Sequence, residues 1–281
     1  MGGDPVVSLS QMPEGALVVD ALTNILRLVI QTLGWILALL VLATPLWFLV
    51  AALGTKLGFW GYEFGLDWMT LETGPKLVIA CAAVGGLMVV LLIAYRFAAR
   101  RWFGVISLPI LALVIAAGGY AGRYVYDGLS ASRPYVLDVT TDAAEPPHFT
   151  AAYASRRGDA QRSLDYDPSF AAAQAEHYPH LTSLTVEQDA RSAFREALLY
   201  ARDSGWRIGT ASDSAGMFEA GAESLMYGFR DDISVRVREL EDGRTRIDIR
   251  SLARQPVHDL GRNAGRVERF LAVMGGEADA G

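Results

Sequence analysis

Charged side chains that could bind a ligand are concentrated near the end of the chain, in the stretch RIDIRSLARQPVHDLGRN, residues 246–263. Its first half alternates polar and apolar residues as a strand does, and its second half is typical of a loop followed by a helix start. Arginine guanidinium groups bind carboxylates and phosphates in a bidentate manner. We therefore consider two interpretations, an anion-binding site and a structural network in which the charges neutralise one another. The candidate ligand-binding residues are Arg236, Asp248, Arg250, Arg254, Asp259, Asn263 and Arg266.

The strand DDISVRVREL precedes this stretch and is joined to it through the turn sequence EDG. The apolar faces of the two strands align only if the loop has an odd number of residues. A three-residue loop with Gly243 in the left-handed conformation meets that condition. The resulting register places Arg236 opposite Asp248 and Ser234 opposite Arg250. Arg236 and Asp248 are therefore predicted to form a cross-strand ion pair.

A helix is predicted over about residues 260–274, with Asp259 as its N-cap. Asp259, Asn263, Arg266 and Phe270 form one stripe of this helix, at the edge of its apolar face. We expect Arg266 to flank the predicted ion pair from the helix while Arg250 flanks it from the strand.

Other catalytic or metal-binding patterns are weak. His177 and His180 are three residues apart, but His148 and His258 lie far from them in the sequence, so we expect no metal site. Dinucleotide fingerprints, glycine-rich phosphate loops and nucleophile elbows are absent from the sequence, so we expect no cofactor.

Two acidic residues are adjacent in the sequence at Asp231 and Asp232. Together with Glu219 they could act as paired acids in general acid–base catalysis. The alternative is that they begin a strand and pair with arginines. Ser251 could act as a nucleophile only if His258 folds back onto it. Whether the chain is an enzyme therefore stays open, and binding without catalysis is the favoured interpretation.

The charge is distributed unevenly between the two halves of the chain. Residues 1–121 contain six basic and six acidic residues, whereas residues 122–281 contain 19 arginines, no lysine and 25 acidic residues. The second half thus carries the entire net charge of −6. Nucleic-acid binding requires a basic surface, so we expect no nucleic-acid partner.

Three uncharged runs, at about residues 32–54, 77–95 and 103–121, are long enough to cross a bilayer. We therefore predict a membrane domain over residues 1–121, a connector over 122–135 and a soluble domain over 136–281. Arg96, Arg100 and Arg101 mark the loop between the second and third runs as cytoplasmic. This predicts a multi-pass inner-membrane protein with a cytoplasmic N-terminus and a periplasmic C-terminal domain.

The segment before the first run has the pattern of an amphipathic helix that continues into the membrane. Its apolar residues recur at helical spacing, and a polar stripe occupies the other side. The apolar residues are Val18, Val19, Leu22, Ile25, Leu26, Val29 and Ile30, and the polar ones are Asp20, Asn24, Arg27 and Gln31.

The soluble half is predicted to be an α+β domain with a four-stranded antiparallel sheet and helices packed on one face. The strand segments are WRIGTAS, MFEAGAESLMYGF, DDISVRVREL and RTRIDIRSLA. A helix is predicted over about residues 186–204, begun by a capping box of Thr185 and Gln188 and ended at Gly205. The clean alternation of the last two strands indicates one buried face and one polar face.

The fragments RPYVLDVTTDAAEPPHF, AAAQAEHYPHLTSL, AFREALLYARDSGWRI and FEAGAESLMYGFRDDISVRVRELEDGRTRIDIRSLARQPVHDLGRNAGRVERFL together carry a resemblance. Residues 133–272 resemble the domain-of-unknown-function family numbered 1499, whose bacterial members often have N-terminal membrane spans. The family pattern near the end is matched by Arg250, Ser251, Arg254, Asp259, Gly261, Asn263 and Arg266. Ala253 stands where a serine is usual and Pro256 where a glycine is usual. The resemblance implies no established activity.

These patterns predict an inner-membrane protein whose periplasmic domain binds an anionic envelope component, such as a lipid head group, or a partner protein. The expected partners are the lipid bilayer, an anionic lipid or envelope component, and a membrane protein. Two alternatives stay open, a membrane-anchored hydrolase of cell-envelope material and a structural subunit of an envelope complex.

Overall fold

The computed structural model describes residues 14–100, 103–104, 106–158 and 162–276. The chain divides into two compact units at Val125, and the second unit begins at Tyr126. Each unit has its own hydrophobic core.

The first unit consists of long apolar helices. Helix α1 spans Glu14–Lys56, a π-helical segment spans Glu63–Thr73, α2 spans Gly74–Ala99 and α3 spans Ser107–Ser132. By length and composition, three stretches can cross a membrane: Val18–Lys56, Glu63–Ala99 and Ser107–Ser132. Residues 122–132, predicted as part of the connector, are helical, because the first residue that opposes a helix there is Pro134.

Close contacts between helices α1 and α2 are made at glycines. A Cβ on Gly34 would lie 3.5 Å from Cε of Met88, and one on Gly74 would lie 2.5 Å from a ring carbon of Phe48. Small residues at these positions allow the two backbones to approach, as is common between membrane helices.

The π-helical segment Glu63–Thr73 is rich in aromatic residues, and some of their rings pack on one another. Phe64 stacks on Trp68 with a centroid distance of 4.9 Å, and the indole of Trp47 donates a 2.8 Å hydrogen bond to the carbonyl of Met69.

The second unit is built on a six-stranded antiparallel sheet. Its strands are β1 (Asp138–Thr140), β2 (Leu184–Val186), β3 (Arg207–Ser212), β4 (Met217–Glu223), β5 (Arg230–Glu239) and β6 (Thr245–Ala253). The order is β1-β6-β5-β4-β3, and β2 also pairs with β6. The prediction of four strands was wrong, because β1 and β2 have only three residues each and are formed by pairing with β6.

The helices of this unit are α4 (Ala151–Ala154), α5 (Ala171–His177), α6 (Ala190–Asp203) and α7 (Arg262–Met274), and a short 3₁₀ turn precedes α5 at Pro168–Phe170. The prediction of a capping box at Thr185 and Gln188 was wrong. Thr185 pairs with Arg246 in the sheet, and the carboxylate of Asp189 caps α6 instead, accepting a 3.0 Å hydrogen bond from the backbone N–H of Ser192.

The apolar core lies between one face of the sheet and helices α6 and α7. Phe218, Ile233, Val235 and Ile249 project from the strands and are completely buried, as is Phe270 of α7. Odd-numbered residues of β5 and β6 face these helices, and even-numbered residues face the other side.

The turn between β5 and β6 has the predicted geometry. Gly243 has a φ of 85°, and its backbone N–H donates a 3.0 Å hydrogen bond to the carbonyl of Leu240. The register is also confirmed, with Arg236 opposite Asp248 and Ser234 opposite Arg250.

Candidate functional site

The face of the sheet away from α6 and α7 is buried, although its side chains are polar. We call these side chains, together with the described residues of the segment 138–170 that cover them, the polar layer. Arg236 is 5% exposed, Arg250 2% and Asp248 0%. The alternation of β5 and β6 therefore separates an apolar core from a polar one. Both faces of these central strands are largely buried, whereas Arg238 and Arg246, near the turn, are partly exposed on the polar face.

Asp248 is the centre of the first cluster in the polar layer. Its carboxylate accepts hydrogen bonds from Arg236 at 3.0 Å and from the hydroxyl of Ser183 at 2.5 Å, and it lies 3.1 Å from Nε of Arg246. The predicted pair of Arg236 and Asp248 is confirmed. Asp142, from the covering segment, binds the same two arginines at 3.1 and 2.6 Å, so two carboxylates neutralise two guanidinium groups.

The ionisation of Asp142 is favoured by this surrounding. Burial by itself would raise the pKa of Asp142. The backbone N–H of Glu145 and the guanidinium groups of Arg246 and Arg236 outweigh burial, and they hold the pKa below its ordinary value. Asp142 is therefore ionised at neutral pH.

Arg250 forms a separate and more enclosed pair with Asp138 of β1. Two parallel hydrogen bonds join them, at 2.8 Å from Nε and 2.7 Å from the terminal nitrogen. The guanidinium carbon lies 5.3 Å from the ring centre of Phe149 and 5.4 Å from that of Tyr166. Arg250 thus already binds the carboxylate of Asp138 and contacts the rings of Phe149 and Tyr166, so its guanidinium group has its partners within the fold.

Arg254 belongs to a third cluster, around Asp232. Nε of Arg254 donates to one carboxylate oxygen at 2.9 Å, and Nε of Arg157 donates to the other at 2.6 Å. The hydroxyl of Tyr153 lies 2.8 Å from the carboxylate. Burial and the neighbouring charge of Asp232 raise the pKa of Tyr153, so its phenol stays protonated and acts as a donor.

Arg266 and Asn263 lie on the opposite face of the sheet. Arg266 donates to Asp231 at 2.6 Å and to Ser251 at 2.8 Å, and the hydroxyl of Ser251 donates to Asn263 at 2.7 Å. Arg262 adds two more bonds to Asp231, at 2.9 and 2.8 Å. The prediction that Arg266 flanks the pair of Arg236 and Asp248 was therefore wrong, because α7 covers the apolar side of the sheet.

Asp259 lies just before α7, and its carboxylate binds backbone N–H groups at the start of this helix. The helix begins at Arg262 rather than near residue 260, and its N-cap is Gly261 with a φ of 78°. The carboxylate of Asp259 accepts from the backbone N–H groups of Gly261 at 3.0 Å and Asn263 at 2.8 Å. These amides are satisfied, so an anion would have to displace Asp259.

The seven candidate residues therefore do not converge on one site. They are distributed over three clusters of the polar layer and one cluster beneath α7. Sequence reasoning missed Asp138, Arg157 and Tyr153 as partners, since they lie far away in the chain. One available signal was Asp138 itself, a carboxylate flanked by the apolar residues of VLDVT.

The arrangement offers little for acid–base or metal chemistry. Asp231 and Asp232 point to opposite faces of β5 and each binds two arginines, so they do not form a pair of acids. Glu219 accepts hydrogen bonds from Thr150 and Thr210. Among the described residues, no three His, Cys, Asp or Glu side chains are grouped as a metal site requires.

A small depression is open to the surface beside the start of α7. Its empty volume is about 180 Å³ even when the open solvent at its mouth is included. Sites for small organic ligands usually have about 300–1,000 Å³. The residues that line it are Phe229, Gln255, Val257, His258, Asp259 and Arg262.

The fold and the clusters define a class of protein: an antiparallel sheet covered on both faces and joined internally by buried arginine–carboxylate pairs, in a chain with three apolar helices. Residues 138–274 match the model of the family described as a protein of unknown function, DUF1499. The resemblance expected from the sequence is thereby confirmed for residues 138–274 of the second unit. No curated protein matches the chain.

Proposed function

We propose that the chain is a cell-envelope membrane protein whose soluble unit binds a partner protein. The observation that carries this proposal is the pair of apolar side chains at the tip of the connection between β4 and β5, where Leu225 is 85% exposed and Met226 64% exposed. Exposed apolar side chains that project together are typical of protein contact sites.

The connection that presents these side chains has a defined shape. The backbone N–H of Ser224 donates to the carbonyl of Phe229 at 2.8 Å, and the hydroxyl of Ser224 accepts from the N–H of Phe229 at 2.9 Å. Tyr227 stacks on Phe229 with a centroid distance of 5.7 Å. A tip of fixed shape loses little conformational entropy on binding, which supports recognition of an apolar cleft on a membrane-protein partner.

The buried charged clusters on both faces of the sheet favour this role over binding of an anionic envelope component. Arg236, Arg250, Arg254 and Arg266 are each at most 8% exposed, and each already binds a carboxylate. A lipid phosphate would have to displace these carboxylates and leave them buried without a partner, which is unfavourable. The charged clusters therefore serve to fix the scaffold that carries the tip.

Photo-crosslinking tests the contact. A photoreactive amino acid at position 226 of the full-length protein in cells should give a crosslink to one membrane protein, and the same group at Leu199, which is 56% exposed on α6, should not. The double variant Leu225→Ser/Met226→Ser should unfold like the wild type yet fail to complement a deletion strain. Full complementation by this variant would reject the tip as the functional surface.

We also propose that the soluble unit lies in the periplasm and the N-terminus in the cytoplasm. Arg96, Arg100 and Arg101 in the loop between the second and third apolar runs support this orientation. A periplasm-dependent reporter enzyme fused after Gly281 should be active, and a cytoplasm-dependent one should not. The reverse pattern would overturn the assignment.

A further inference from the structure

Helix α1 is longer than a bilayer requires. It has 43 residues. At about 1.5 Å per residue its length is about 65 Å, against a hydrocarbon thickness of about 30 Å. Part of α1 must therefore lie outside the hydrocarbon.

The packing of α1 on α2 shows which end of α1 lies outside the hydrocarbon. Gly34 of α1 lies against Met88 of α2, and Phe48 of α1 lies against Gly74 of α2. In each contact the number of the α1 residue and the number of the α2 residue add up to 122, so one number rises as the other falls. The helices are therefore antiparallel, and extrapolating this register places Arg96 opposite residue 26, at the level of Arg27. Arginines at one level of two adjacent helices mark a membrane surface. Because α2 ends at Ala99, the first turns of α1 extend beyond it into water.

A regular apolar stripe begins on this projecting end with Val18 and Leu22 and continues past the level of Arg27. Val18, Leu22, Ile25 and Val29 follow one another at intervals of four, three and four residues, and they are 67, 56, 62 and 39% exposed. Asp20 and Arg27 lie on the other side of the helix. Intervals of four and three are the pattern of a two-stranded coiled coil. The side of α1 that packs on α2 is a different one and contains Ile30 and Leu37, which are completely buried.

We propose that this stripe binds the same stripe of a second copy of the chain, in a parallel coiled coil. Both copies insert into the membrane in the same direction, so their α1 helices run parallel and identical residues meet at a twofold axis. An isolated helix end of this length is marginal in water, and pairing would bury its apolar side chains.

Two features favour a second copy over lipid as the occupant. Helix α1 is unbroken from Glu14 to Lys56, so its first turns cannot lie flat on the membrane surface while the remainder crosses it. The same intervals also continue along the exposed side of α1 through the apolar run. The continuing positions are Thr32, Ile36, Leu39, Ala43, Leu46, Val50 and Leu53.

Disulfide trapping in native membranes tests the proposal on the full-length protein. The natural Cys81 is completely buried, so the unmodified chain gives the background. Leu22→Cys and Ile25→Cys should each yield a disulfide-linked dimer as the main species on oxidation, because seam residues of a parallel pair bring their Cβ atoms within disulfide range. Asn24→Cys is the matched control on the same turn, and dimer formation should be lost there.

Two results would overturn the proposal. One is a dimer yield at Leu22→Cys and Ile25→Cys no higher than at Asn24→Cys. The other comes from a fluorophore attached at Ile25→Cys in vesicles that hold one chain each and contain nitroxide-labelled lipid. Strong quenching there would show that this part of the stripe already lies in lipid when no second copy is present, which contradicts the premise that it projects into water.

Discussion

The pair of Asp138 and Arg250 gives the sharpest test of the polar layer. The variant Asp138→Asn keeps the size of the side chain and removes its charge. Arg250 is then left with a positive charge at 2% exposure and no carboxylate in bidentate contact. Breaking a buried ion pair on one side costs about 3–5 kcal/mol. The total stability of a domain is about 5–15 kcal/mol, so the loss should be a large fraction of it.

Urea unfolding of residues 133–281, followed by circular dichroism, measures this loss. The double variant Asp138→Asn/Arg250→Met removes both charges, and we expect it to be more stable than Asp138→Asn alone. Asp213→Asn is the control, because its ion pair with Arg191 is 47 and 73% exposed and should contribute at most about 1 kcal/mol. If Asp138→Asn and Asp213→Asn lower the stability equally, the pair does not stabilise the fold as a buried pair and our reasoning is refuted.

Three further predictions use the same unfolding assay. Glu219→Gln should lower the free energy of unfolding by about 1–3 kcal/mol, because the carboxylate is 1% exposed and accepts from threonine donors; an unchanged midpoint would contradict this. Gly261→Ala should cost about 1–2 kcal/mol, since φ is 78° there, whereas Gly265→Ala within α7 should not destabilise; equal effects would refute the conformational reason. Hydrogen bonds from the hydroxyl and N–H of Ser192 hold the pKa of Asp189 below its ordinary value. The contribution of Asp189 is therefore complete above the ordinary pKa and is lost as the pH falls through the lower folded value, so the stability difference from Asp189→Asn should shrink as the pH falls below about 4.

The parts of the fold that follow from local pattern were predictable from the sequence. The alternation of β5 and β6 and the glycine of their turn were enough to predict the pairing of Arg236 with Asp248. The long apolar runs likewise gave the three helices of the first unit. In each case the determining residues lie within one element or in two adjacent ones, so neighbouring positions carry the information.

The parts that depend on distant segments were not predictable in this way. Strand β1 has no periodicity of its own and exists because it pairs with β6. The alternation of β5 and β6 predicted only that one face is polar, and nothing near it in the sequence shows that the described residues of 138–170 cover it. Asp138 is 112 residues from Arg250, so only the folded chain reveals which carboxylate each arginine binds.

The polar layer also determines the order in which the second unit can fold. Its ion pairs join residues separated by 112, 94 and 75 positions. Contacts of such long range form late, because the chain must first close a large loop. Synthesis proceeds from the N-terminus, so the covering segment emerges before the strands that it will cover. Until β5 and β6 have been synthesised, the carboxylates of the covering segment remain hydrated. A hydrated acidic segment is not prone to aggregation before it pairs with the arginines of these strands.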